Sequence, residues 1–197
     1  MTKGRMEAFS DGVLAVIITI MVLEIRPPHG TSIIALQPVF PVFFSYVMSF
    51  VYVGIYWNNH HHLLHAAQHV TGGVLWANLH LLFWLSLTPF ATAWMGENHF
   101  ASWPVALYGV VLLLAAVAYF ILTKTLIALH GKDSTLAASI GSDRKGRVSV
   151  VVYLAAVPLS FVQPRIACAC YALVAVMWLV PDPRIEKTIS KESLRSS

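Results

Sequence analysis

Long apolar stretches recur along the whole chain and constrain its fold more than any other feature. Between Pro104 and Leu129, for example, Lys124 is the only charged residue. Of the 197 residues, 57% are hydrophobic and 11% are charged, whereas an average soluble domain has about 45–50% apolar and about 25% charged residues. Because roughly a third of the surface of an unfolded chain this long stays exposed after folding, a water-soluble core cannot hide so much apolar surface. The composition therefore predicts a polytopic membrane protein and excludes a soluble enzyme, a disordered tail and a fibrous repeat.

Six membrane-spanning helices are predicted, in a single all-α domain over residues 1–197. A spanning helix needs about 20 residues, so six helices use about 120 and leave only short loops. Prolines mark several of the predicted ends, since proline lacks an N–H group and breaks a helix. The predicted ranges are 6–25, 38–64, 72–95, 104–129, 148–162 and 166–180, of which the last two are short for a full span.

The distribution of Lys and Arg predicts the orientation of these helices. If the N-terminus is cytoplasmic, eleven of the 13 basic residues lie on the cytoplasmic side, and only Arg26 and Arg165 lie outside. Cytoplasmic loops of membrane proteins are enriched in positive charge, so we expect a multi-pass protein of the cell membrane with both termini cytoplasmic. Because the basic residues lie near span ends, the net charge of +4 indicates topology rather than a nucleic-acid partner.

The first predicted helix carries most of the chemistry. Charged residues inside a span are costly and are functional candidates by default, and this segment contains Arg5, Glu7, Asp11 and Glu24. At about 100° per residue, apolar side chains and one hydroxyl group share a narrow stripe, and Asp11 falls well away from it. The members of the stripe are Gly12, Val16, Thr19, Ile20 and Leu23. Periodicity alone leaves open whether this stripe has a function or only faces lipid or a neighbouring helix.

The start of this helix resembles the Arg-x-x-x-Phe-Ser-Asp signature of the endolysosomal potassium channel family and its prokaryotic homologues. The matching residues are Arg5, Phe9, Ser10 and Asp11. Tyr56-Trp57-x-x-His60-His61 in the second helix, and Asn78 and Pro89 in the third, agree with the resemblance. It implies a homotetrameric, weakly to moderately potassium-selective channel, in which the first helix of each subunit lines a central pore. The family lacks a backbone-carbonyl filter loop, and this sequence has no Thr-Val-Gly-Tyr-Gly segment.

The resemblance also implies roles for individual residues. The apolar constriction of the family falls on Val16, its hydroxyl ring on Thr19, and a further apolar ring on Leu23, with Ile20 beside them. Val16 departs from the bulkier Ile or Leu that is usual at the constriction. A packing network behind the pore helix is implied for Arg5, Phe9, Ser10, Asp11, Trp57, His60 and Asn78. The expected partners are further copies of the chain, membrane lipid and the permeant potassium ion, with no cofactor.

Two features leave alternatives open. A buried carboxylate needs donors or a cation, so Asp11 either anchors the helix or contacts an ion or a proton. His61, His65 and His69 have the spacing i, i+4, i+8 and would share a drifting helical face. They either form a polar helix end, bind a divalent metal ion or sense pH.

A proton- or metal-coupled secondary transporter that uses Asp11 and the histidines is the alternative function. Broken helices and paired carboxylates near the membrane centre would favour it, but the sequence offers a single candidate for a well-buried carboxylate. A membrane enzyme is disfavoured, because the sequence has neither a nucleophile elbow nor a His-Glu-x-x-His motif. We therefore predict a channel and not an enzyme.

Overall fold

The computed structural model describes residues 2–131, 134, 136–137 and 143–179, and this part of the chain is helical without any β-strand. A 3₁₀ helix, Ile33–Val39, precedes the second α-helix. The α-helices are α1 (Lys3–Leu23), α2 (Phe40–Ala66), α3 (Gly72–Ser86), α4 (Thr88–Glu97), α5 (Ser102–His130), α6 (Arg144–Leu159) and α7 (Pro164–Leu179). Residues 180–197 of the predicted domain lie outside the described residues.

The prediction of an all-α membrane protein is confirmed. Each predicted span matches a helical segment with ends shifted by a few residues, and α3 and α4 together form the third. Four segments are long and apolar enough to cross a membrane, namely Lys3–Leu23, Ile33–Ala66, Gly72–Glu97 and Ser102–His130. Helices α6 and α7 have 16 residues each. At about 1.5 Å per residue, they are shorter than the bilayer core of about 30 Å.

The third predicted helix is interrupted at Leu87. The N–H group of Leu87 donates to the carbonyl of Trp84 at 3.2 Å, in a tight turn. Pro89 then lies in the first turn of α4, where its missing N–H costs nothing. Broken helices are one feature expected of a transporter, but residues 83–94 around this break contain no Asp or Glu. The chain on either side of the break therefore contributes no carboxylate to it.

Two apolar clusters make up the core. The first joins α1, α2, α3 and α5, with Leu14, Leu64, Leu81 and Leu122 among its buried members. The second joins α2 with α4 to α7, with Met95 and four tyrosines at its centre. Because α2 and α5 contribute to both clusters, these two helices connect the N-terminal and C-terminal parts of the bundle.

The tyrosines of the second cluster satisfy one another and the backbone. The Tyr52 hydroxyl donates to the carbonyl of Tyr171 at 2.6 Å, and the Tyr153 hydroxyl donates to that of Tyr52 at 3.1 Å. Gly109 of α5 lets Tyr171 approach, since a Cβ atom there would collide with the Tyr171 hydroxyl oxygen and lie 2.6 Å from its Cζ atom. The hydroxyl groups of the tyrosines find their partners within the protein, as polar groups in a bilayer must. The close approach of Tyr171 to Gly109 fixes how α7 packs on α5.

Replacing this glycine tests the packing. We expect Gly109→Ala to lower the stability of the detergent-solubilised protein by about 1–3 kcal/mol, the usual cost of overpacking a core, and so to lower its melting temperature. Gly54→Ala is the control, because a Cβ atom at Gly54 meets nothing within 4 Å. A second change, Tyr171→Phe, should recover part of the loss by removing the colliding oxygen. Equal melting temperatures for the two alanine variants would contradict this account.

Candidate functional site

Helix α1 turns one face into the subunit and the opposite face outward. Its buried residues follow a helical period and are Met6, Ser10, Leu14, Ile17 and Met21. On the opposite face, Val16, Ile20 and Leu23 are 54%, 42% and 78% exposed, respectively, and Thr19 is exposed as well. Large apolar side chains on three successive helical turns therefore point away from the core of the helical bundle.

Thr19 supplies the single side-chain oxygen of this exposed stripe. Its hydroxyl group donates to the carbonyl of Val16 at 2.9 Å. A hydroxyl group has one proton and two lone pairs, so this bond uses the proton and leaves the lone pairs available on the exposed face. Thr19 can therefore accept a hydrogen bond or coordinate a cation there.

A buried hydrogen-bond network lies behind the stripe and joins three helices. Nε2 of His60 lies 2.7 Å from Oδ1 of Asn78, and the ring donates because an amide oxygen only accepts. Nδ2 of Asn78 donates to Oγ of Ser10 at 2.9 Å, and that hydroxyl donates to the carbonyl of Met6 at 2.8 Å. Ser10, His60 and Asn78 are each at most 2% exposed. The network links α1 to α2 and α3 at one level of the bundle.

A second set of contacts follows the seam between α1 and α2 nearer to the surface. Residues 3, 7 and 11 of α1 lie one turn apart and meet residues 65, 61 and 57 of the antiparallel α2. Each pair has one polar contact: Lys3 Nζ donates to the His65 carbonyl at 3.3 Å, Glu7 Oε1 lies 3.5 Å from His61 Nδ1, and Trp57 Nε1 donates to Asp11 Oδ1 at 3.0 Å. The seam and the buried network together hold α1 on two sides.

The structure divides the predicted network into three groups. Ser10, His60 and Asn78 are connected, and Asp11 and Trp57 form a separate pair. Asp11 is half-buried rather than buried, since it lies about 100° around the helix from Ser10. Arg5 and Phe9 are exposed, and Arg5 has no side-chain partner among the residues described here. Glu7 was not predicted as a partner, although its position four residues from Asp11 could have indicated one.

The structure does not bring His61, His65 and His69 onto one helical face. Helix α2 ends at Ala66, so His69 leaves the shared face and its ring lies tilted against that of His130, with 4.6 Å between the ring centroids. His61 and His65 stack on each other, with their ring centroids 6.1 Å apart. Within the described part of the chain, no group of three or more His, Cys, Asp or Glu residues is placed to hold a metal ion.

Comparison with known proteins identifies the family. Residues 5–89 match the family model described as "Endosomal/lysosomal potassium channel TMEM175". A potassium channel of Chryseobacterium sp. (strain P1-3) is 55% identical over 191 residues, which cover 97% of this chain and 100% of that protein. This chain belongs to the TMEM175 family. A potassium channel of Streptomyces collinus is 31% identical, over 93% of this chain and 96% of its own length.

The fold agrees with this membership. The crystal structure of a lysosomal potassium-selective channel TMEM175 homolog from Chamaesiphon minutus superposes with a TM-score of 0.76 at 26% identity. The match covers 90% of this chain and 96% of that one. The segment matched by the family model begins at Arg5 and ends at Pro89. In this TMEM175 chain it therefore contains the exposed stripe, the buried network and most of the seam.

The buried network can be tested at Asn78. We expect Asn78→Leu to destabilise the purified protein by about 1–3 kcal/mol, because it leaves the buried Nε2 of His60 without a partner and removes the donor to Ser10. Asn58→Leu makes the same change at an exposed position of α2 and should have little effect. Thermal unfolding in detergent, followed by tryptophan fluorescence, measures the difference. Equal melting temperatures of the two variants would mean that the network does not hold α1 in place.

Proposed function

We propose that this TMEM175 chain is a subunit of a potassium channel whose ion path is lined by copies of α1. The observation that carries the proposal is the exposed stripe of Val16, Thr19, Ile20 and Leu23, which lies opposite the buried face of the same helix. One chain supplies one such stripe, and a closed path requires several copies around a symmetry axis. The names of the bacterial relatives, which are potassium channels, support the choice of ion.

The proposed assembly is a homotetramer in the cell membrane, with both termini in the cytoplasm. The number four follows from the resemblance to the prokaryotic members of the family. The excess of Lys and Arg on the side of the N-terminus supports the orientation. The chain acts in this proposal as a channel and not as an enzyme, and it needs no cofactor.

The stripe suggests how ions pass. Val16, Thr19 and Leu23 follow one another at one helical turn each, about 5 Å along the axis, so four copies would form stacked rings. A ring of apolar side chains gives an ion no ligands and can close by dewetting or by steric contact. Potassium gives up water more readily than sodium, and the free lone pairs of Thr19 replace part of that water. Such a path selects potassium weakly to moderately, less sharply than a cage of carbonyl groups.

The contacts behind α1, namely the buried network and the seam with α2, keep the exposed stripe turned toward the proposed ion path. A change of one residue in register would turn the helix by about 100° and bring Ile17 to the position of Val16. The buried network and the seam with α2 oppose that rotation, since either would lose its hydrogen bonds. In this proposal Asp11 is an anchor of the helix and does not touch the ion.

Removing the Thr19 hydroxyl tests the selectivity mechanism. We expect Thr19→Val to lower the preference for potassium over sodium, because it keeps the shape of the side chain and removes the oxygen. The reversal potential of purified channels in planar bilayers, under a potassium/sodium gradient, gives the permeability ratio. Thr125→Val is the matched control, since Thr125 of α5 also donates to its own helix, at 2.8 Å. An unchanged ratio in Thr19→Val would remove Thr19 from the filter, and currents without unitary steps would indicate a transporter.

The orientation of α1 can be tested by cysteine accessibility. In a background with Cys168→Ala and Cys170→Ala, cysteines at positions 16, 19 and 23 should react with a permeant thiol reagent and reduce the current. Cysteines at positions 14, 17 and 21, which are at most 3% exposed in the native chain, should stay inert. The reverse pattern would mean that the helix is rotated and that the assignment of the ion path is wrong.

A further inference from the structure

A cavity of about 390 Å³ lies between α2, α5 and α6, and none of the residues that line it belongs to α1. Its volume falls within the range of about 300–1,000 Å³ that small-molecule sites occupy. Its walls are mainly apolar. The apolar lining residues are Ile55, Ala116, Val117, Phe120, Val150 and Val151.

The charged lining residues lie at one end of this cavity. Asp143, Gly146 and Arg147 line it at the beginning of α6, whereas Tyr153 lines it two turns deeper. From Gly146 to Tyr153 the helix rises by about 10 Å, so the cavity reaches from the end of the bundle into its apolar interior. The lining residues of α2 give the same direction. Asn59 lies closer to the C-terminal end of α2 than Tyr52 does. The cavity thus has a polar mouth and an apolar depth.

The mouth presents an exposed positive charge. Arg147 is exposed, and its guanidinium group has no side-chain partner within the described residues. Arg144 and Lys145 precede it, and Nζ of Lys145 lies 5.8 Å from the ring centroid of Trp178, which also lines the cavity. The only carboxylate at the mouth among the described residues, Asp143, caps α6 by accepting from the N–H group of Gly146 at 2.9 Å. Among the described lining residues, Arg147 is thus the charged group that is exposed and not engaged, which favours an anionic ligand.

We propose that this cavity binds an anionic membrane phospholipid, with an acyl chain in the apolar depth and the phosphate group at Arg147. Basic pockets between membrane helices are typical sites for anionic headgroups, and the planar guanidinium group matches two oxygens of a phosphate. A zwitterionic lipid carries the same phosphate together with a quaternary ammonium group, which the guanidinium group of Arg147 repels. Free inorganic phosphate has no chain to fill the depth. The site is separate from α1, so the proposal does not depend on ion conduction.

Native mass spectrometry of the full-length protein in a neutral detergent tests the site. Palmitoyl-oleoyl-phosphatidylglycerol should bind more tightly than palmitoyl-oleoyl-phosphatidylcholine, which has the same chains. Arg147→Ala should weaken phosphatidylglycerol binding by about tenfold, the effect of losing a charge-assisted hydrogen bond. Arg144→Ala removes the same charge from the same turn at a position outside the cavity lining, and should change binding by less than about twofold.

A second pair of variants tests the apolar depth. Val150→Phe fills the cavity and should weaken phosphatidylglycerol binding, whereas Val148→Phe makes the same change at an exposed position that does not line it and should not. Three results would overturn the proposal: equal losses in Arg147→Ala and Arg144→Ala, equal binding of the two lipids, or full binding by a folded Val150→Phe variant. Binding of inorganic phosphate as tight as that of the lipid would also overturn it, since the acyl chain would then contribute nothing.

Discussion

The hydrogen bonds that connect Ser10, Asn78 and His60 are the interaction on which the arrangement of α1 depends. A bilayer offers no water to an unpaired polar group, so these side chains must face each other wherever α1, α2 and α3 meet. The amide of Asn78 donates to Ser10 and accepts from His60, and it therefore sets the level of α1 against two helices at once. With Ser10 turned inward, helical geometry turns Ile17 inward and Val16 outward.

The two apolar clusters hold different sets of helices together. The first cluster surrounds α1 and lies largely within the segment that the family model matches. The second cluster, with its linked tyrosines, joins α6 and α7 to α5 and α2. Helices α6 and α7 therefore pack on α2 and α5, and α2 and α5 in turn belong to the cluster that holds α1.

Much of this arrangement could be predicted from the sequence, because its causes are local. Apolar runs predict the spans, and the helical period predicts that Val16, Thr19 and Leu23 share a face. The partners were harder to predict. Asp11 had several candidate donors, and the choice of Trp57 depends on the rotation of α2, which no local pattern encodes. His69 was misplaced because the end of α2 at Ala66 carries no glycine or proline, and the break at Leu87 was missed because Pro89 also fits inside a predicted span.

The geometry of α1 explains why an ion path lined by this helix would depend on side chains, and not on the backbone, for its selectivity. In an α-helix each carbonyl group points along the helix axis and accepts from the N–H group four residues later, so the backbone of α1 does not turn carbonyl groups toward an ion beside the helix. The stripe then offers Thr19 as its one oxygen ligand, and Thr19 keeps its lone pairs free by giving its proton to Val16. A filter built from one hydroxyl ring between apolar rings discriminates through the cost of dehydration rather than through a complete coordination shell. This accounts for an expected selectivity that is weak to moderate and sensitive to the width set by Val16 and Leu23.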